Sequence, residues 1–293
     1  MQQKQLGQII RELRQLAGLS QQELANGICS QAQISKLEKG SEFPYSNTLY
    51  EISKRLGVDM NYFFENMNTP RLDYVDEVKG LIRRYVRQRD YESVAFMIEK
   101  EKTSPLFQSA SNKQFLIWHE GICTYHLTKD KQKAIEILKE AIQLTRQGQN
   151  FYKENEIEIL SSIAIIYDSE NEYDEAIISF KKALQHLSQL PQIKDHHIKV
   201  RILYGVSRTY GRSCNYQEAI QFALKGVKQC ISNESMYLLG ELYYMVGYSM
   251  AQLRREKEAV EYLNKAILIF EISSNQQLIN MVKRELDKIA FKI

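Results

Sequence analysis

The feature that most constrains this chain is a register that repeats through its C-terminal part. Val94, Ala134, Ala176, Ala219 and Ala259 follow one another at spacings of 40, 42, 43 and 40 residues. Nine positions before each stands Tyr85, Tyr125, Tyr167, Tyr210 or Met250, and sixteen before stands Val78, Trp118, Leu160, Leu203 or Tyr243. Twelve before are Ile82, Ile122, Ala164, Ser207 and Gly247, mostly small, and seven after are the small residues Ala141, Ala183, Gly226 and Ala266 in four of five copies. A period in this range marks a solenoid, in which one supersecondary unit is stacked on the next. The offsets fit paired antiparallel helices, since small residues permit close backbone approach and large ones fill the gap. DKQKAIEILKEAI and NEYDEAIISFKKAL are the clearest copies, whereas RDYESVAFMIEK and REKEAVEYLNKAI are degenerate, as terminal units tend to be. A last helix, about 276–291, reads as a cap. The tyrosines nine before each anchor read as core.

Composition supports an all-α chain. Only 4 Pro and 13 Gly punctuate 293 residues, few for a β-sandwich or barrel, and 44% hydrophobic content is too high for disorder. No apolar run approaches the ~18 residues of a membrane span, the longest lying near Ile163 to Tyr167. The N-terminus turns charged before a signal-peptide core can form. Cys29, Cys123, Cys214 and Cys230 are widely spaced and form no CxxC pair, which fits reduced, buried or half-buried thiols in a cytoplasmic protein. His119, His126, His186, His196 and His197 share no zinc-ligand spacing with cysteine or acidic residues, so neither metal nor cofactor is expected.

The chain changes character near residue 70. ENMNTPRLD places Pro70 in a polar stretch, where its ring disfavours helix through the preceding residue. The spacing predicts domains at 1–66 and 75–293, joined by a linker at 67–74. In the first, Leu6, Ile9, Ile10, Leu13 and Leu16 recur at helical spacing up to Gly18, and Ser20 with Glu23 forms an S-x-x-E capping box. A third helix is expected over about 31–38, stopping at Gly40. Ser46 opens a fourth to Leu56 before Gly57, and Asp59 caps a fifth holding Tyr62, Phe63 and Phe64.

GQIIRELRQLAGLSQQELANGICSQAQISKLEKGSEFP resembles the helix-turn-helix domain of the Xre and phage-repressor family, through I-R-x-L-R-x-x-x-G-L-S-Q-x-x-L-A, then I-S-x-L-E-x-G and a Pro. The resemblance implies that the helix from Gln31 is the recognition helix, with Gln31, Ala32, Gln33, Ser35 and Lys36 against base edges in the major groove. Their chemistry agrees: glutamine pairs bidentately with adenine, and lysine reaches guanine or phosphate. Gln21 matches the family's backbone-contacting glutamine at a helix N-terminus, and Asn47 and Arg11 are further phosphate candidates. Residues 1–68 carry seven Lys or Arg against seven Asp or Glu. Without basic excess one copy binds DNA weakly, which points to a homodimer on a palindromic double-stranded promoter site.

The repeats resemble tetratricopeptide repeats, with Trp118 at the family's Trp position and a period longer than the usual unit. In that family the first helix of each pair faces a concave groove. The resemblance therefore places Lys79, Arg83, His119, Ser161, Ile165, Arg201, Tyr204, Arg208, Tyr244 and Tyr248 on an inward strip that suits a short peptide. The tyrosines supply amphipathic contact area, and Arg83, Arg201 or Arg208 a carboxylate clamp.

Both parts together resemble the PlcR-type peptide-pheromone receptors, the quorum-sensing transcription regulators of Gram-positive bacteria. The resemblance implies a cytoplasmic, non-enzymic homodimer whose repeats bind a re-imported signalling peptide and thereby change its grip on DNA, through repeat curvature and the linker near 66–73. G-x-S-x-G, H-E-x-x-H, P-loop and dinucleotide motifs are missing from the sequence. The alternatives are a phosphatase-type partner binder, because some relatives act on response regulators, and a repressor that ignores peptide.

Overall fold

The computed structural model describes residues 2–66, 70–146 and 151–290. Among the described residues every regular element is an α-helix apart from one 3-10 turn, Pro105–Phe107. The chain divides into two compact units, Met1–Leu81 and Ile82–Ile293.

In the first unit α1 (Gln2–Leu16), α2 (Gln21–Ala25), α3 (Gln31–Glu38), α4 (Ser46–Leu56) and α5 (Met60–Asn66) follow the expected order. They enclose Leu6, Ile10, Leu24, Ile34, Leu37, Leu49, Ile52 and Phe63. The capping box forms as expected: the Glu23 amide donates to Ser20 Oγ at 3.2 Å, and the Ser20 amide to Glu23 Oε2 at 2.6 Å. Asp59 Oδ1 accepts from the Asn61 amide at 2.8 Å. α4 opens at Ser46 as expected, with Tyr45 in the preceding cap position and no side-chain cap bond. Gly7 sets how closely α1 meets α3, because a Cβ there would lie 2.1 Å from the Leu37 carbonyl oxygen.

Residues 67–69, part of the expected linker, lie outside the described residues. Its remainder is helical: α6 (Pro70–Gln88) begins at Pro70. The physical reason is that proline breaks a helix only from inside; at the first position its missing N–H is not needed and its φ is already helical.

Five helix pairs follow the repeat register. They are α6 with α7 (Tyr91–Glu101), α8 (Ala110–Thr128) with α9 (Lys131–Thr145), and α10 (Glu154–Ser169) with α11 (Tyr173–Ser188). Then come α12 (His197–Arg212) with α13 (Tyr216–Ser232) and α14 (Leu239–Gln252) with α15 (Glu256–Ile272), closed by α16 (Gln276–Ala290). All five anchors, Val94, Ala134, Ala176, Ala219 and Ala259, are 0% exposed. Four after them lie the buried Ile98, Leu138, Phe180, Ala223 and Leu263. The tyrosine series is packed inside as expected, with Tyr125, Tyr210 and Met250 buried and Tyr85 and Tyr167 half-buried.

The turn inside each pair has one conformation. Arg89, Lys129, Asn171, Cys214 and Arg254, each five before its anchor, have φ between 59° and 63°. The left-handed turn is thus built five times, and in four of five copies from residue types that adopt it reluctantly. This also corrects one expectation: Cys214, on such a turn, is exposed, while Cys123 and Cys230 are buried and Cys29 half-buried.

Candidate functional site

Two places concentrate the expected functional residues, one in each unit. In the first, Ser30 Oγ accepts from the Gln33 amide at 3.2 Å and starts α3. Ile34 and Leu37 on its inner face are buried, which turns Gln31, Ala32 and Lys36 to solvent. Gln33 and Ser35 are half-buried; Arg11 on α1 and Asn47 in the first turn of α4 are exposed. A side-chain relay holds part of this face. Arg14 pairs with Glu38 through two hydrogen bonds at 2.6 and 3.1 Å, their side chains 12% and 4% exposed. Glu38 also accepts from Gln21 Nε2 at 2.9 Å, and Gln21 Oε1 accepts from Gln31 Nε2 at 2.7 Å. Gln31 is thereby held by one N–H, and its side chain is otherwise exposed to solvent. Lys36 is 2.8 Å from Glu42 in an exposed ion pair.

In the second unit a cavity of about 490 Å³ opens among α6, α8, α10 and α12. Trp118, Ile122, Ile166, Phe180, Ile198 and Ile202 form its apolar wall. Of the residues the sequence pointed to, Arg83, His119, Ser161, Ile165 and Arg201 line it. Arg208 lines a smaller adjoining cavity of about 410 Å³, which shares Tyr91, His126 and Ile165 with the first. Lys79, Tyr204, Tyr244 and Tyr248 line neither. Tyr244 and Tyr248 stack on each other at 5.9 Å, and Tyr204 packs against the core of the last two pairs.

Two of the three arginines read as carboxylate clamps are already engaged. Arg201 bonds Glu158 and lies 2.8 Å from Asp195, and Arg208 is 2.9 Å from Asp168, which also takes Arg212 at 2.7 Å. Burial raises the Glu158 carboxyl above its ordinary range, against the pull of Arg201. Asp168 is fully buried, and a buried carboxylate needs such partners. Arg83 is not tied in this way; its guanidinium lies 5.3 Å from the Phe115 ring centroid.

The two histidines of the cavities, His119 and His126, are both held below the ordinary histidine range. His119 is 3% exposed, its Nδ1 is 2.8 Å from the Phe115 carbonyl oxygen, and burial pushes its pKa down to about 3. His126 stacks flat on Tyr91 at 3.9 Å and is lowered to about 4 by burial, then by Lys129 and Arg89. The wall residues Trp118, Ile122 and Phe180 escaped the sequence reading because their register marks them as inter-helix core. Asp195 and Tyr237 escaped because they sit in connections, which carry no period. Among the described residues no cluster of three or more His, Cys, Asp or Glu could hold a metal ion.

A helical unit that displays polar residues along α3 and a helix-pair stack with an internal apolar cavity define a two-part, helix-turn-helix and repeat protein. Residues 79–290 match the model of the RNPP family C-terminal domain and residues 10–63 match the helix-turn-helix model, and the chain belongs to the RNPP family. No match is found among curated protein sequences. Among solved structures it is similar to Bacillus thuringiensis PlcR in complex with the peptide PapR7 and DNA, at 24% identity and TM-score 0.79, covering 97% of this chain and 99% of that one. ComR from S. thermophilus, in complex with DNA and its signalling peptide ComS, follows at 16% identity and TM-score 0.68, with 97% and 99% covered. Rgg2, the SHP pheromone receptor of Streptococcus dysgalactiae, shares 14% identity at TM-score 0.67, again over 97% and 99%. At these identities the likeness establishes the fold.

Proposed function

We propose that this chain is a cytoplasmic transcription regulator, acting without catalysis, that binds palindromic DNA as a homodimer and takes a short signalling peptide in its repeat unit. The observation that carries the reading is the cavity: a repeat array serving only as a dimerisation arm has no need of an interior apolar space edged by Arg83, Ser161 and Arg201. Apolar concave sites with a few placed polar groups are the usual form of ligand sites. The family match and the peptide- and DNA-bound states of PlcR and ComR support it.

On the DNA side, Gln31, Ala32 and Lys36 present an amide, a methyl and an ammonium to base edges, while Gln21, Asn47 and Arg11 hold the backbone. For the peptide to act as a signal it must bind one DNA-binding arrangement of the dimer more tightly than the other. The test uses the full chain. Its operator is selected from random duplex DNA, and affinity for it is measured by fluorescence anisotropy with and without pooled heptapeptides encoded in the same genome. A peptide-dependent shift in affinity is expected. Full-strength binding indifferent to every peptide would reduce the protein to a plain repressor.

A further inference from the structure

His119 meets the apolar cavity with one edge of its ring. Its Nδ1 is 2.8 Å from the Phe115 carbonyl oxygen, one turn back on α8, and a ring nitrogen so placed carries the proton and donates it. A neutral imidazole then keeps a bare lone pair on Nε2, which has no hydrogen-bond partner among the described residues. Since Nδ1 is turned onto its own helix, the edge given to the cavity is the one that carries Nε2. Phe115 and Trp118 pack against the ring at centroid distances of 4.1 and 4.7 Å and hold it in that orientation. Burial keeps it unprotonated, and the charge of Arg83 works in the same direction.

The serines of the same wall are a second, independent observation. Ser161 Oγ donates to the Ile157 carbonyl at 3.1 Å; Ser162 Oγ donates to that of Glu158 at 3.1 Å and accepts from Trp118 Nε1 at 2.9 Å. A hydroxyl has one hydrogen, so both serines have only lone pairs left to offer. Ser161 and His119 stand at one register, fifteen before the anchors Ala176 and Ala134, on the successive first helices α10 and α8. That register sets them side by side along the cavity, which both line. His119, Ser161 and Ser162 thus accept and do not donate.

We infer that His119, with Ser161 beside it, is a specificity-determining acceptor, and that the peptide taken by this chain inserts there a side chain bearing a neutral hydrogen-bond donor, a hydroxyl or an indole N–H. Depth selects a side chain over the main chain, because His119 is 3% exposed and only a group that enters the cavity reaches it. Charge selects a neutral donor. Arg83 and Arg87 line the same cavity and repel an ammonium, while the carboxylates of Glu158 and Asp195 are already on Arg201. An apolar side chain of the same shape fills the space but leaves the acceptors dry and unpaired, which is how a polar site rejects an analogue without the donor. The inference rests on the peptide-receptor reading and adds the chemistry of one ligand side chain.

The experiment is affinity capture of pooled heptapeptides by the purified full chain, read by mass spectrometry. Every pool has the same termini and the same charged residues. The first is built with Phe, Val, Ala and benzothienylalanine, an isostere of Trp without the indole N–H. Each further pool replaces one of these by its donor-bearing counterpart: Tyr for Phe, Thr for Val, Ser for Ala, or Trp for the isostere. Capture from at least one donor pool at roughly tenfold to a hundredfold over the first is expected, and the enriched pool names the donor. In His119→Phe, its folding checked by circular dichroism, that preference should shrink to within about threefold. The native chain gives a reading that needs no variant. With its histidines labelled with nitrogen-15, NMR at neutral pH should show the His119 ring uncharged with its proton on Nδ1, and the Nε2 resonance should move upfield when the captured peptide binds. Equal capture from all pools overturns the acceptor and leaves the receptor standing, as does a preference that survives in folded His119→Phe, or a proton found on Nε2. Capture from none overturns both.

Discussion

Glu38 accepts from Arg14 and Gln21, and Gln21 accepts from Gln31, so one buried carboxylate organises three side chains that begin on three helices. Removing one partner of a buried ion pair strands the other charge, and Glu38→Ala is expected to destabilise the first unit by about 3 to 5 kcal/mol. The check is the shift of the corresponding transition in urea unfolding. Gln31→Ala keeps the ion pair but removes the outward amide. It should cost about 1 to 3 kcal/mol against the preferred base and flatten discrimination at that position only, as read from affinities for single-base operator variants. His119 gives a pH dependence with a definite sign. Its folded pKa of about 3 lies below the ordinary histidine value near 6.5, so it takes up a proton only on unfolding between those limits. The stability it contributes is present above pH 6.5 and is lost as pH falls towards 3, at about 1.4 kcal/mol per pH unit. Stability measured from pH 7 to 5 should fall less steeply in His119→Phe than in the parent protein.

At the scale of elements, each repeat is held by an alanine or valine with no exposed surface and by a left-handed turn five residues earlier. Ala176 is fully buried, and Ala176→Leu is expected to cost about 1 to 3 kcal/mol through overpacking. Because solenoid units are stabilised by their neighbours, the loss should appear as lowered protection of α10 to α13 in hydrogen exchange before the ends respond. Cys214 offers the opposite change. It is exposed, sits at φ 62°, and Cys214→Gly should raise stability by ~1 kcal/mol by relieving the left-handed strain, checked by the thermal midpoint. Both outcomes belong to the helix pair as a unit.

For the whole molecule, the balance of seven basic and seven acidic residues over 1–68 limits what electrostatics alone can do for DNA affinity. In the proposed reading a homodimer compensates by doubling the contacts, with half-sites spaced by about 34 to 36 Å, one turn of DNA. Lys36→Ala should therefore lower the slope of log affinity against log salt by about 1 per protomer if Lys36 touches phosphate, with all sequences weakened alike. If Lys36 reads a base instead, the slope holds and base preference relaxes.

The repeat architecture, the five short helices of the first unit and the caps at Ser20 and Asp59 were legible in the sequence because each rests on local periodicity or on a residue's own backbone preference. The all-α class followed from the same patterns, and the helix-turn-helix text carried the position of α3. What lines the cavity was not legible to the same degree. Helical spacing states which face a residue occupies, but not whether the neighbouring pair closes over it, so Tyr244 and Tyr248 stack on each other while Trp118 and Phe180 become cavity wall. Nor does spacing show that Arg201 and Arg208 spend their charge on Glu158, Asp195 and Asp168. Those pairings join residues from different repeats or from unperiodic connections, and only packing in three dimensions brings them within reach.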